Sequence, residues 1–205
     1  EIALQTNTDL HLQARLQRVH ESATRSAHLV NQLLTLARAE PESALAHDRK
    51  RFDLQRMAQT LTAEWVPRAL RARIDLGMHE DTAAQVWVEG NELLIREALT
   101  NLIDNAVQYA GAHSQITVRV NADSLSSQAV LQVSDTGPGL TAAEREVVFE
   151  RFVRASEMGQ GCGLGLAIVK DIVERHHGSV ELAAAQPHGL LATIRLPLAK
   201  DRFQV

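Results

Sequence analysis

One cysteine, one tyrosine, two tryptophans and four phenylalanines are all that 205 residues hold of these types. A lone Cys162 excludes an intramolecular disulfide framework and any CxxC metal site, and it is compatible with a reducing compartment. With aromatics at 3%, the core must be built from Leu, Val, Ile and Ala, which favours helices packed on a sheet. Positive charge is not in excess either: 21 Lys and Arg face 25 Asp and Glu, for a net charge of -4. The chain therefore lacks the basic field that nucleic-acid binding requires. No run approaches the roughly 18 apolar residues of a membrane span, and no signal peptide is visible. As given, the chain reads as soluble.

Hydrophobic residues, at 45%, are sufficient for a real core, so disorder is not expected. The chain opens on Glu1, Ile2, Ala3 and Leu4 without an initiator methionine. The expectation is a fragment whose membrane or sensory part lies upstream.

From Leu12 to Ala37, apolar or small residues recur at 12, 16, 19, 23, 26, 30, 33 and 37, alternating fours and threes. This heptad seam predicts a long helix over 9–39, with Thr8 or Asp9 as cap and Pro41 just beyond its end. One sticky stripe needs a partner. The expectation is a homodimer through this helix; the alternative is packing against the rest of the same chain. Glu1 to Gln5 reads as the tail of an antiparallel helix. Residues 41–51 are polar and charged and read as a linker, which divides the chain into 1–40, 41–51 and 52–205.

Beyond the linker the pattern predicts a helix from Leu54 to Arg71, strands near Ile74–Met78 and Gln85–Val88, and a helix from Asn91 to Ala110. Strands follow near Ile116–Asn121 and Ala129–Ser134, then a mobile segment from Val153 to Gly163 and a helix from Leu164 to His176. Closing strands fall at Ser179–Leu182 and Ala192–Leu198. Strands adjacent as hairpins at least twice fit a mixed or antiparallel sheet covered by helices on one face. The fold class is α+β.

Four short segments carry the chemistry. Asn101 and Asn105 stand four apart on a helix, so both amides project from one face, and a pair of amide oxygens can ligate a hard cation. Mg2+ needs only one or two protein oxygens when waters and substrate phosphates supply the rest. Asp135 ends an apolar strand and begins the turn Thr136, Gly137, Pro138, Gly139. Its plain reading is a turn former. Held in an apolar cleft, it would instead accept a hydrogen bond from an exocyclic amine, with Gly137 and Gly139 letting backbone approach the base.

Gly161, Gly163 and Gly165 open a helix whose N-terminal amides can face phosphates. A polar loop precedes them, unlike the strand of a dinucleotide fingerprint, and the P-loop Lys and Ser or Thr are absent. Phe149 and Phe152 lie between the two glycine segments.

In this order the segments resemble the catalytic and ATP-binding domain of sensor histidine kinases, in the ATPase superfamily shared with gyrase, Hsp90 and MutL. Asn101–Asn105 is similar to the N box, Asp135–Gly139 to the first glycine box, Phe149–Phe152 to the F box and Gly161–Gly165 to the second. Phe149 to Arg154, the run Gly163 to Lys170, His177, Gly178 and Leu196–Leu198 favour histidine kinases within that superfamily. The resemblance covers Phe52 to Leu198, and Leu33 to Arg38 is similar to the second helix of a dimerisation and phosphotransfer domain.

The resemblance implies a Bergerat-type α/β sandwich preceded by a dimerisation helix, with ATP and Mg2+ as cofactors. It implies that Asp135 binds the adenine amine and Tyr109 packs beside the base. Asn105, assisted by Asn101, would hold Mg2+, and Arg154 would reach the phosphates. Catalysis would thus rest on Asn101, Asn105 and Arg154, with Val153–Gly163 as a lid. Further nucleotide contacts are implied for Gly137, Gly139, Phe149, Phe152, Gly161, Gly163, Leu164, Gly165, Leu166 and Thr193. The implied partner is a response regulator receiver domain, with no nucleic acid. The implied location is cytoplasmic, attached to a bacterial inner membrane only through an upstream segment.

Two departures qualify the pattern. Gln108 stands where family members often carry Lys. No phosphoacceptor motif is present: His20 and Glu21 imitate its first two residues, but Ser22, Ala23 and Thr24 do not continue it. Two other readings stay open. An ATP hydrolase of the superfamily would need a carboxylate base near Asn101, for which Glu97 is the candidate, since Asn cannot take a proton from water. A non-enzymatic nucleotide-sensing module would need no acceptor. His176, His177 and His188 lack the spacing of a zinc site and read as a helix end and a turn. Cys162 reads as a small residue in a glycine loop.

Overall fold

The computed structural model describes residues 49–79, 85–153 and 163–200. The heptad helix, its expected dimer, Arg154, Gly161 and Cys162 lie outside these residues. Lys50 and Arg51, expected to close the linker, instead form the first half of β1 (Lys50–Asp53), which pairs antiparallel with β3 (Trp87–Gly90). Sequence reading missed β1 because Lys-Arg-Phe-Asp is too short and too charged to alternate visibly; backbone pairing supplies what the side chains do not.

Helix α1 spans Leu54–Arg71, the range the periodicity predicts. Asp53 starts it, its carboxylate accepting from the Gln55 and Arg56 amides at 3.0 and 3.3 Å. Leu54, Met57, Ala58 and Leu61 bury one face. Helix α2 (Glu92–Tyr109) is capped by Asn91, whose Oδ1 accepts from Leu94 N–H at 3.2 Å, and buries Ile95, Leu99, Leu102, Ile103 and Ala106. A short α3 (Ala142–Val147), not anticipated from periodicity, exists by virtue of a capping box between Thr141 and Glu144. The last helix, α4, spans Gly165–Arg175.

The remaining strands are β2 (Asp75–Met78), β4 (Gln115–Asp123), β5 (Gln128–Asp135), β6 (Ser179–Ala184) and β7 (Leu190–Pro197), in sheet order β2-β4-β5-β7-β6. The β2–β4 pair is parallel and the others antiparallel, so the sheet is mixed, as expected. Alternation sorts the side chains. Ile116, Val118 and Val120, Ala129, Leu131 and Val133, and Ala192, Ile194 and Leu196 are buried on the inner face, where α1, α2 and α4 pack. The next inward position on β5 is Asp135. A carboxylate thus occupies a core position at the strand's end, and this parity places the site.

Candidate nucleotide site

Asp135 is buried, and burial is the largest influence on its carboxyl, pushing the pKa above the ordinary value. Two backbone donors oppose this, Gly137 N–H at 2.8 Å and Leu190 N–H at 3.3 Å, with the nearby His188 acting in the same direction. Both bonds fall on Oδ1, so the carboxylate is fixed in orientation through one oxygen while Oδ2 takes neither of them. A fixed buried acceptor discriminates strongly between ligands that do and do not bring it a donor.

Crowding around Asp135 explains its glycines. A Cβ on Gly137 would come within 2.6 Å of Ala110 Cα and 2.9 Å of Asp135 Oδ1. The turn therefore packs directly on the end of α2, where Tyr109 is 39% exposed. A Cβ on Gly139 would lie 2.6 Å from Gly189 O, and one on Gly189 only 1.9 Å from Asp135 O. Gly189 also has φ of 111°, a conformation that L side chains rarely adopt. Neither Gly189 nor the β6–β7 turn carrying it was foreseen as part of the site.

The second half of the site is polar. Asn101 is buried; its Nδ2 donates to the Glu97 backbone carbonyl at 2.9 Å and to the Glu97 carboxylate at 3.2 Å. A Cβ on Gly165 would sit 3.2 Å from Asn101 Oδ1 and 3.6 Å from both amide atoms of Asn105. Asn101, Asn105 and the start of α4 thus meet. Among the described residues the other three helices begin with Asp53, Asn91 or Thr141 accepting from first-turn amides, whereas the N-cap of α4 is the apolar, buried Leu164, with no side-chain cap. Among the described residues no side chain caps its first turn, where the Leu166 amide lies, so that turn is suited to an anion. Two amide oxygens next to such a helix start suit a hard cation shared with phosphate oxygens, so the residues fit Mg2+.

Phe149 is half-buried after α3, and Phe152 is exposed with φ of 67°. Phe152 N–H donates to Gly163 O at 2.9 Å, and a Cβ on Gly163 would lie 2.6 Å from Val153 O. The two ends of the expected lid are therefore tied to each other at the base.

Thr193 is a correction. On β7 it pairs with Gln132, and its Oγ1 accepts from Gln132 Nε2 at 3.2 Å. Gln132 and Thr193 have the opposite parity to Asp135 and Leu190, so Thr193 lies on the other face of the sheet from the Asp135 carboxylate. His176 and His188 are likewise far apart in role: His176 accepts from Asn91 N–H at 3.0 Å, while His188 stands near Gly137. Among the described residues no group of three or more His, Cys, Asp or Glu is gathered to hold a metal, and no helix is long and apolar enough to cross a membrane.

Residues 90–200 match the family described as histidine kinase-, DNA gyrase B-, and HSP90-like ATPase. Over 91% of its length the chain is 36% identical to the sensor protein kinase PmrB of Pseudomonas aeruginosa, and over 94% it is 34% identical to the sensor histidine kinase RppB of Synechocystis. The chain spans only 38% and 41% of those two relatives. Among solved structures, the mycobacterial sensor histidine kinase MprB is 33% identical with a TM-score of 0.62, covering 73% of this chain and 97% of that one. Full-length ShkA in complex with AMPPNP, 24% identical, shares the fold with a TM-score of 0.76 over 96% of this chain and 41% of its own.

Proposed function

Because the chain belongs to the histidine kinase-, DNA gyrase B-, and HSP90-like ATPase family, as the ATP-binding region of a sensor histidine kinase, we propose that it binds ATP with Mg2+. It then passes the γ-phosphoryl group to a histidine for relay to a response regulator. In this reading Asp135 accepts from the adenine amine, Tyr109 flanks the base, and Gly137 and Gly139 admit it. Leu164, Gly165 and Leu166 present backbone at the phosphates, Asn105 and Asn101 offer oxygens to the cation, and Arg154 reaches the phosphates. Mg2+ would neutralise charge as the phosphoryl group transfers; the protein's share is mostly positioning. The receiving histidine belongs to a dimeric helical region, with the heptad segment over 9–39 as one of its parts, in the cytoplasmic portion of a membrane-attached sensor.

One observation carries the reading: a single fold joins a buried carboxylate, held by two backbone amides, to a helix start that faces two asparagine amides. The first recognises a base, the second phosphates. Glu97, the base a hydrolase would need, accepts from Asn101 Nδ2 through one oxygen; it is the likeness to sensor kinases that favours transfer over hydrolysis as the main activity. Calorimetric titration of ATP with and without Mg2+ tests the proposal. Saturable, Mg2+-enhanced binding that Asp135→Asn weakens is the expected result; no binding by the folded protein would overturn it.

A further inference from the structure

His188 belongs to none of the motifs that mark the site. It sits on the turn between β6 and β7, which is closed by Ala185 N–H donating to Gly189 O at 3.0 Å. This turn is interlocked with the Asp135–Gly139 segment at three points. Leu190 N–H donates to Asp135 Oδ1 at 3.3 Å. A Cβ on Gly189 would strike Asp135 O at 1.9 Å, and one on Gly139 would strike Gly189 O at 2.6 Å. His188 adds a fourth point, its Nδ1 lying 3.4 Å from Gly137 O. Gly137 is then held from both sides, its N–H by Asp135 at 2.8 Å and its carbonyl by the imidazole. The imidazole also lies near enough to Asp135 to favour its ionised form.

Resting on the ATP-site reading above, we propose that His188 is a positioning residue of the nucleotide site: it grips the Gly137 carbonyl and holds the Asp135–Gly139 turn in the shape that receives adenine. The side chain is exposed, so it acts from the rim and contributes little to the core. Its bond is long for a hydrogen bond, so its effect should be modest and specific to the base. Loss of one such bond corresponds to about 3- to 10-fold in affinity.

The test titrates wild-type protein, His188→Ala and His188→Asn with ATP and with inosine triphosphate, which keeps the phosphates but lacks the exocyclic amine. His188→Ala should bind ATP about 3- to 10-fold more weakly and lose part of the preference for ATP over inosine triphosphate. His188→Asn, whose Nδ2 can donate in place of Nδ1, should restore both. Thermal midpoints should match throughout, and the ATP preference is a ratio that partial unfolding does not alter. Wild-type affinity and preference in His188→Ala would overturn the inference, as would a loss that Asn fails to rescue. If wild-type protein itself binds no ATP, the failure lies with the ATP-site reading; if Asp135→Asn weakens binding but His188→Ala does not, it lies with His188 alone.

Discussion

The two ends of the site are built on different principles. At the Asp135 end, backbone meets backbone: Gly137 against Ala110, Gly139 against Gly189, Gly189 against Asp135, each leaving less than 3 Å for a Cβ. At the Asn101 end, Gly165 faces side-chain amides across 3.2–3.6 Å, a gap that a small rearrangement opens. The carboxylate end is thus a packed, pre-shaped part of the fold, and a side chain added at its glycines should register as stability. The amide end is open by comparison, so substitutions there should register as affinity. A base needs a fixed cleft; phosphates and a hydrated cation need room.

The largest effect should come from Gly189→Ala. Overlap with Asp135 O together with a left-handed φ should cost about 3 kcal/mol or more, measured by urea unfolding, with nucleotide binding lost as a consequence. A variant of normal stability would break the contrast at its strongest point.

Asp135→Asn separates recognition from packing at the same end. Asn keeps an oxygen for Gly137 N–H but loses the charge, so ATP should bind about 10- to 100-fold more weakly by titration. Because burial raises the Asp135 pKa, its ionised form is disfavoured in the fold. That penalty grows as pH rises through the folded pKa, so at pH about 7 the variant should unfold at the same or a higher temperature.

Gly165→Ala should behave oppositely to Gly189→Ala. Alanine suits a first helical turn, so stability should stay within about 1 kcal/mol of wild type, while a methyl beside both amides should weaken ATP by about tenfold or more. Equal losses of stability at Gly165 and Gly189 would erase the distinction.

The smallest effect concerns the far end of α4. Buried His176 donates through Nδ1 to Ile172 O at 2.7 Å and accepts through Nε2, and burial chiefly lowers its pKa from the ordinary 6.5. Arg49 and His177 add to that lowering, against the Ile172 bond. The folded state thus keeps the neutral form. Its contribution is full above the unfolded pKa and is lost as pH falls through 6.5 toward the folded value. Urea unfolding across that range should show a flatter acid slope in His176→Gln; equal slopes would assign acid sensitivity elsewhere.

What the sequence made legible follows from distance along the chain. Asn101 with Asn105, and Asp135 with Gly137 and Gly139, act within one helical turn or one loop, so spacing alone exposes them. Gly165 against Asn101 needed the resemblance to link separate segments. Gly189 and His188 stayed hidden because their contacts to Asp135 and Gly137 depend on β5–β7 register, which aligns Ser134 with Leu191 across the sheet. Thr193 was misplaced for the same reason: a shift of one residue along a strand exchanges faces. Helix α1 was legible to the residue because Asp53 caps it and its buried stripe is regular, whereas β1 carried no alternation to detect.

Phosphoryl transfer from this site to a histidine is open to one direct test. The direct measurement mixes the protein, radiolabelled in the γ-phosphate of its ATP, with an acceptor-containing full-length partner whose own ATP site is inactivated. Acid-labile label on the partner, formed in mixed dimers and abolished by Asp135→Asn, is the expected result. Steady release of inorganic phosphate with no labelled protein would contradict it and assign the chain to hydrolysis.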